Sequence, residues 1–398
     1  MKRAPLLAAG LVLALGTGYW AGRSSAPIPG ASRLTGVEVA PVGGLAAPSG
    51  WRPAALAEVP VRNLVLAVGD GMGLAGLAAA RLRAYGVDGR FVWERFPVTG
   101  LVDVAPEGGL IPKSDSAATA LATGRRTVNG RIALSAAGEV LPTLAERLSA
   151  AGWLTGLVTT SAIFDATPAA FAAHVARRRD YAAIADQLAA SPLDLLAGGG
   201  VEIFAGGDAG RARLAAARAR GVEVVTGAEA LAVAGRLPLW ALFPGRRLGE
   251  EPARPALEEL TAAALRLLAA EGRARGAGFF LLIEEEGIDT AAHARDLDRL
   301  AAATVRFDRA VEHAARFAAA DGATLVVVVG DHSTGGLAVD HRSTRDRLRV
   351  VWTSGEHTGE PVPIFAYGPP AAAARFGGVR AGAEVGRELA AAAGLGPS

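Results

Sequence analysis

A serine and an aspartate stand together at the start of an alanine-rich stretch of this chain, where they could act on an anion. Asp115 and Ser116 precede the apolar run 117–122. The run is predicted to be helical, and the amide groups and dipole at a helix N-terminus favour anions. A serine there could attack a phosphate, although Asp or Ser before such a run is more often only a cap. Other residues must decide between the two interpretations.

Acidic residues and histidines recur with the spacing of metal ligands. Asp289 and His293 are four residues apart, on one face of a helical turn, and Asp331 directly precedes His332. His357 lies in a segment with glycine on both sides. The chain contains no cysteine, so any metal must be held by imidazole and oxygen ligands. Such ligands suit zinc, magnesium, manganese or calcium.

Short apolar runs that alternate with amphipathic helices must position these residues. From residue 62 onward this alternation is typical of an α/β domain with a mostly parallel sheet. Ligands of such sheets bind beyond the carboxyl ends of the strands. Carboxylates stand at or just after four of the predicted strands: Asp70 after Asn63–Gly69, Asp165 beyond 154–159, Glu284 after 279–283, and Asp331 after Thr324–Gly330. Helices are predicted over residues 75–85, 116–123, 141–151, 168–176, 181–190, 255–275, 297–320 and 383–393.

The ends and the middle of the chain differ from this pattern. Residues 1–23 join basic residues to an apolar run, which is typical of a secretory signal peptide, with an uncleaved membrane anchor as the alternative. Residues 24–60, rich in Pro, Gly and Ala, are predicted to be a linker before a single domain over 61–398. Residues 206–255 resemble a small cap inserted over the sheet. Because residues 1–23 are typical of a signal peptide, we expect a periplasmic or extracellular protein.

Composition excludes some function classes. The 398 residues carry a net charge of only +2, and 51 % of them are hydrophobic, which fits a globular protein with a large core. No basic block of the kind that binds nucleic acid is present.

Seven short segments, in order along the chain, resemble the alkaline phosphatase family. They lie within residues 63–369, at 69–73, 115–120, 165–170, 174–178, 284–293, 330–336 and 357–365. The resemblance implies a three-layer α/β/α sandwich around a large, mostly parallel sheet. It implies a hydrolase that splits phosphate monoesters through a phosphoserine, with two zinc ions and one magnesium ion. Relatives are often homodimers.

The resemblance also implies a role for each matching residue. Ser116 is similar to the nucleophile, and Arg178 to the guanidinium that binds the phosphate. The ligands of the two zinc ions are matched by two sets of three residues: Asp289, His293 and His357, and then Asp70, Asp331 and His332.

A third, magnesium-type site is implied beside the zinc sites. Thr167 and Glu284 match its ligands, Asp70 is shared with it, and Asp165 matches a residue at or just outside it. Glu286 is an alternative to Glu284, because three consecutive glutamates stand where many relatives have glycines.

Two alternatives to a phosphomonoesterase stay open. One is a phosphodiesterase or phosphonate hydrolase of the same superfamily, and the other is a phosphate-binding protein without turnover. The presence of both Ser116 and Arg178 favours an enzyme. The residue after Asp289, often His or Lys in the family, is Thr290 here, so the charge around the phosphate differs from that of many relatives.

Overall fold

The computed structural model describes residues 36–248 and 255–396. Residues 1–23, for which we predict a signal peptide or anchor, lie outside the described part of the chain. No helix within those two ranges is long and apolar enough to cross a membrane.

The described residues form fifteen strands and thirteen α-helices, with a short 3-10 helix at Trp93–Arg95. The strands are β1 (Val37–Pro41), β2 (Asn63–Gly69), β3 (Val98–Asp103), β4 (Leu154–Ala162), β5 (Leu195–Gly199), β6 (Glu223–Val225), β7 (Leu239–Phe243), β8 (Phe279–Glu285), β9 (Thr324–Gly330), β10 (Ser333–Thr334), β11 (Leu337–Val339), β12 (Arg347–Trp352), β13 (His357–Thr358), β14 (Val362–Tyr367) and β15 (Gly378–Ala381). The helices are α1 (Leu74–Tyr85), α2 (Ser114–Thr123), α3 (Leu144–Ala150), α4 (Ala166–Ala170), α5 (Tyr181–Ala190), α6 (Glu202–Ala205), α7 (Gly207–Ala219), α8 (Ala228–Val233), α9 (Leu257–Arg275), α10 (Gly287–Ala294), α11 (Leu297–Asp321), α12 (Pro370–Ala374) and α13 (Gly382–Ala392).

A ten-stranded sheet in the order β15-β3-β14-β9-β2-β8-β4-β5-β7-β6 forms the centre of the molecule. Seven neighbouring strands, from β9 to β6, are parallel, and β14 pairs antiparallel with both β3 and β9. The predicted mostly parallel sheet is thereby confirmed.

Helices cover both faces of this sheet. In β2, Val65 and Ala67 point into one hydrophobic core, which is completed by α1, α9 and α11. Leu64, Leu66 and Val68 point into a second core with α2, α3, α5 and α13. Both sets are fully buried, as expected of a strand covered on two faces. The predicted three-layer α/β/α sandwich is therefore confirmed.

Residues 36–60 pack on the domain and do not behave as the loose linker that their composition predicts. β1 pairs antiparallel with β12. The ring of Trp51 contacts those of Phe96 and Tyr367, with centroids 6.4 and 5.7 Å away. The hydroxyl of Tyr367 also donates to the carbonyl oxygen of Ala54 at 3.0 Å. Aromatic contacts and strand pairing hold a segment that lacks hydrophobic periodicity of its own.

The region predicted as a cap, at about 206–255, does not form a separate layer over the sheet. Its strands β6 and β7 extend the sheet at one edge, where β7 pairs parallel with β5. Its described residues end with Arg246, Arg247 and Leu248, beyond the carboxyl end of β7. This position brings two basic residues to the side of the sheet that carries the candidate site.

Candidate active site

Strand pairing brings the carboxylates after β2 and β9 together. Gly69 is in register with Gly330, so Asp70 and Asp331 leave the sheet side by side. His332 follows in the chain and is completely buried. Its Nε2 atom lies 3.2 Å from Oδ1 of Asp70 and 3.3 Å from Oδ2 of Asp331. The structure thus brings together one predicted metal-ligand set, which consists of Asp70, Asp331 and His332.

A tight turn after β2 lets α10 approach this set. Gly71 has φ +73°, and a Cβ atom there would lie 2.8 Å from the Cα atom of Asp289. Its amide group donates to Oδ1 of Asp331 at 2.9 Å. Only glycine adopts this backbone conformation without a side chain that would push α10 away.

The second predicted set meets at the start of α10 and at β13. Nε2 of His293 lies 3.3 Å from Oδ2 of Asp289 and 3.2 Å from Nε2 of His357. Each imidazole donates from Nδ1 to a carbonyl oxygen, of Gly355 for His293 and of Pro112 for His357. Both Nε2 atoms are therefore directed into the same small space, an arrangement typical of histidines that bind metals.

The pKa values in these sets reflect burial and close charges. Burial, reinforced by Asp331, raises the pKa of Asp70 well above its usual value. Burial also raises the pKa of Asp331 to about 7 and lowers that of His332 to about 4. The hydrogen bond to Asp289 raises the pKa of His293 to about 9. The space between the two sets thus favours a positive charge, as a cation or as a proton.

Oxygen atoms without partners indicate that this charge is a metal. Oδ1 of Asp70 and Oδ2 of Asp331 are buried and have no hydrogen bond among the described residues. Such atoms are costly in an interior unless a cation binds them. Two groups of residues each bring their ligand atoms within 4.8 Å of one another. They are Asp70, Asp331 and His332, and Asp289, His332 and His357. These residues therefore fit divalent ions.

The residues of the predicted third site lie beside Asp70. Glu284, at the end of β8, is buried and accepts a hydrogen bond from Thr159. Burial raises the pKa of Glu284 to about 8. Thr167, in α4, is buried next to it, and its hydroxyl has no hydrogen bond within the described ranges. The Thr167 hydroxyl and the neighbouring buried carboxylate of Glu284 also fit a cation.

The two neighbouring glutamates face elsewhere. Glu285 pairs with Arg306 at 3.0 Å. Glu286 points into the cleft, where it accepts a hydrogen bond from Thr290 and lies 3.4 Å from Arg247. Of the two alternatives for the third site, the structure places Glu284 beside Thr167.

The structure does not bring Ser116 to the metal-ligand sets. α2 begins two residues earlier than predicted, and Ser114 is its first residue. Oγ of Ser114 lies 3.2 Å from Nε2 of His332. Ser116 instead donates to Oδ1 of Asn129 at 2.6 Å and lines a separate small cavity. The expectation that Ser116 faces the metal ligands is therefore wrong, because Ser114 occupies that position.

The physical reason is helix geometry. Successive residues rotate by about 100°, so side chains at i and i+2 are about 200° apart and cannot face the same ligand. The N-terminal amide groups of α2 also lie beside Ser114, where an anion would bind. The helix begins at Ser114, directly after the N-cap residue Lys113. The sequence prediction placed this start two residues too late.

Two carboxylates hold Arg178 at the edge of the cleft. Its guanidinium lies 3.1 Å from Oδ1 of Asp165 and 3.4 Å from Oδ2 of Asp115. Burial alone would raise the pKa of Asp165, but the charges of Arg178 and Arg246 and the hydrogen bonds from Ala166 and Ser161 together lower it. Asp165 also caps α4 and accepts from Ser161 at 3.0 Å. Because both oxygens have protein partners, Asp165 positions Arg178 from just outside the third site.

The site opens into a cleft of about 820 Å³. Ser114, Arg178 and the second set (Asp289, His293 and His357) line it. A hydroxyl, an arginine, a helix N-terminus and one metal-ligand set thus face one space, and His332 of the other set lies 3.2 Å from that hydroxyl. Such an arrangement can bind a phosphate group and stabilise the charge that develops on its oxygens.

Known proteins share this architecture and sequence. The sequence model of the alkaline phosphatase family matches residues 61–344. The chain is 37 % identical over 386 residues to streptomycin-6-phosphate phosphatase of Streptomyces griseus, with 78 % of this chain and 86 % of that protein covered. It is 31 % identical over 421 residues to alkaline phosphatase of Escherichia coli (strain K12), with 86 % of both proteins covered.

A solved structure agrees with these matches. Alkaline phosphatase from the Antarctic bacterium TAB5 superimposes with a TM-score of 0.76 and 26 % identity, over 86 % of this chain and all of that one. A variant of that enzyme contains Mg in a site named M3. Because the family model matches residues 61–344 and the two relatives are 37 % and 31 % identical over most of their length, the chain belongs to the alkaline phosphatase family of phosphoric monoester hydrolases.

Proposed function

We propose that this enzyme hydrolyses phosphate monoesters through a phosphoserine on Ser114. The observation that carries the proposal is the position of Ser114 Oγ, 3.2 Å from Nε2 of His332 at the open end of α2. Ser114 is the first residue of α2, so its hydroxyl stands both at a helix N-terminus and against a residue of the metal-ligand sets.

Arg178 and α2 would bind the phosphate. A guanidinium offers two parallel N–H donors to phosphate oxygens, and Asp165 and Asp115 fix its plane. The amide groups of the first turn of α2 have no intrahelical acceptors, so they can donate to the same phosphate. These contacts would orient the phosphorus for in-line attack by Ser114.

The reaction would take two steps. The Ser114 oxygen forms a bond to phosphorus while the bond to the alcohol breaks, and the alcohol leaves with a proton. Water then attacks the phosphoserine, which releases inorganic phosphate and restores the hydroxyl. Both steps invert phosphorus, so Arg178 can hold the same oxygens throughout.

Two zinc ions and a magnesium ion fit the ligand sets described above. When bound, such ions lower the pKa of coordinated oxygens and stabilise the entering and leaving oxygens. We assign one zinc ion to Asp289, His293 and His357, and the other to Asp70, Asp331 and His332. For magnesium we assign Asp70, Thr167 and Glu284.

We also infer export, on the basis of the N-terminal pattern of basic and apolar residues. Expression of the full chain in a bacterial host and fractionation tests this part. Activity confined to the cytoplasm would contradict it, and activity in the periplasm or medium is the expected result.

Trapping the phosphoenzyme tests the mechanism. The zinc- and magnesium-loaded protein is incubated with ³²P-labelled phosphate at acidic pH, quenched and digested, and the labelled peptide is sequenced by mass spectrometry. Phosphate on Ser114 is expected, and Ser114→Ala abolishes labelling while Ser116→Ala retains it. A phosphate on Ser116, or none on either serine in an active enzyme, overturns the assignment.

A further inference from the structure

Basic side chains from three segments surround the mouth of the cleft. Lys113 precedes α2, Arg177–Arg179 follow α4, and Arg246 and Arg247 follow β7. Of these basic residues, the mechanism proposed above uses only Arg178. The other basic residues line the same space and need an explanation.

Arg246 is held in place by aromatic rings. Its guanidinium lies 4.5 Å from the ring centroid of Tyr181 and 5.5 Å from that of Phe164. It also lies 3.6 Å from Oδ2 of Asp165, whose Oδ1 binds Arg178. The two guanidinium groups are therefore separated by the width of one carboxylate. A ligand bound to Arg178 has Arg246 as its neighbour on the solvent side.

Arg247 brings a further charge to the cleft. It lies 3.4 Å from Glu286, which stands between Arg247 and Thr290 on the first turn of α10. About half of each side chain, Arg246 and Arg247, is exposed. Both guanidinium groups are therefore accessible to a ligand from solvent.

The cleft has more positive than negative charge. Six basic side chains line it, against four carboxylates, and among the described residues Lys113 and Arg179 have no acidic partner. One of the four carboxylates, Asp289, is assigned to zinc. The unbalanced charge lies in the same cleft as Ser114 and Arg178.

We propose that Arg246 and Arg247 form a second anion site, so that preferred substrates carry another phosphate on the alcohol part. The inference rests on the proposed function, because the first phosphate is the one bound by Ser114 and Arg178. The chemical class is that of bisphosphates with a short spacer. Substrates with a cationic group near the phosphate are disfavoured by the same charges.

Three probes of equal chain length test the proposal. They are 1,3-propanediol bisphosphate, 3-hydroxypropyl phosphate and 3-aminopropyl phosphate, whose distal groups are anionic, neutral and cationic at pH 8. With the metal-loaded enzyme at pH 8, kcat/KM is expected to fall in that order. The bisphosphate should exceed the hydroxyl compound by about tenfold, beyond the factor of two from its equivalent phosphates. The advantage should shrink in about 0.5 M salt, since exposed charges are screened.

Single substitutions localise the effect. Arg246→Gln and Arg247→Gln are each expected to lower the bisphosphate preference by about three- to tenfold. Arg236→Gln is the matched control, because Arg236 lies on the same segment, outside the cleft, and pairs with Glu223 at 2.9 Å. A preference unchanged in both variants, or absent in the wild type, overturns the second anion site.

Binding separates this inference from the proposed function. Calorimetry compares 1,3-propanediylbisphosphonate with propylphosphonate, neither of which can be hydrolysed as an ester. Tighter binding of the bisphosphonate, reduced in the two arginine variants, supports the anion site even if no probe is hydrolysed. Equal binding overturns it even if all three esters are hydrolysed.

Discussion

Oγ of Ser114 lies 3.2 Å from Nε2 of His332, whereas Ser116, two residues further along α2 and on a different face of the helix, donates to Oδ1 of Asn129. The two serines share the first turn of α2, and the turn of the helix separates their hydroxyls. Asp115 lies between them and points toward Arg178. One turn of helix thus supplies a candidate nucleophile and a carboxylate that positions the phosphate-binding arginine.

Replacing each serine should distinguish their roles. Ser114→Ala is expected to lower kcat for an aryl phosphate by at least about 1,000-fold, because the covalent step loses its nucleophile. Ser116→Ala keeps Ser114 and should lower kcat by less than about fivefold. Steady-state kinetics with matched zinc and magnesium content measures both. Similar losses in the two variants would contradict the assignment to Ser114.

Removal of metal should expose the cost of buried carboxylates. Asp331→Asn keeps an oxygen for the amide groups of Gly71 and His332 but removes a buried charge. The raised pKa of Asp331, about 7, means that ionisation at pH 8 opposes folding when no metal is bound. In chelator the variant should therefore melt at the same temperature as the wild type or higher.

With zinc bound, the wild type should melt at a higher temperature than Asp331→Asn. Ligand binding to the folded state stabilises it, so the wild type should gain several degrees in Tm with zinc while Asp331→Asn gains little. Thermal melts with chelator and with zinc measure both effects. A lower Tm of the variant in chelator would contradict a metal-binding role for the buried charge.

Thr167→Val tests the third site. Valine has the shape of threonine and lacks the hydroxyl, which has no hydrogen bond among the described residues. The substitution should leave the stability of the chelated protein unchanged or higher, because it removes an unsatisfied polar group. The loaded enzyme should lose one magnesium ion per chain and about tenfold in kcat.

A matched threonine provides the control. Thr261, on α9, is also buried with an unpartnered hydroxyl, but it packs on the other side of the sheet. Thr261→Val should therefore resemble Thr167→Val in the chelated state and retain full magnesium and activity. Metal analysis of the two purified variants decides, and equal magnesium in both would exclude Thr167 as a ligand.

Asp308 should make stability depend on pH. It is buried in α11, where it accepts from the hydroxyl of Tyr85 at 2.8 Å and the amide group of Val92 at 2.6 Å. Burial raises its pKa to about 7. Since the unfolded value is about 4, the folded state binds the proton more tightly, and stability is lost as pH rises from about 4 through 7.

The neutral analogue should abolish this dependence. The shift of roughly three pKa units sets an upper limit of about 4 kcal/mol on the loss between pH 4 and 8. Asp308→Asn should flatten the slope, so its free energy of unfolding relative to wild type improves toward pH 8. Urea denaturation of both proteins at pH 5.5 and pH 8 measures the difference. Parallel slopes would show that Asp308 is ionised throughout this range.

Much of the site could be predicted because strand ends converge. The runs of β2, β8 and β9 are strongly hydrophobic, so their ends are well defined, and parallel strands deliver Asp70, Glu284 and Asp331 to one edge. The spacing of four between Asp289 and His293 was sufficient to place both on one face of α10.

Weak local patterns led to the errors. Residues 36–60 and the strands β6 and β7 are held by pairing and aromatic contacts with distant parts of the chain, which no local periodicity reports. Arg178 could not be distinguished from its two neighbours by composition alone, and two carboxylates from separate elements determine its orientation.

The sequence by itself determined the fold class and the types of ligand, because these depend on hydrophobic periodicity and on residues at strand ends, and seven ordered segments carried the resemblance to the family. Tertiary structure decided which side chains meet. Two residues along a helix, a side chain is turned by about 200°. The tertiary structure therefore decided that the hydroxyl of Ser114, and not that of Ser116, lies against His332. It also brought Arg246 and Arg247 from the edge of the sheet to the cleft, since contacts between distant segments depend on packing and not on sequence separation.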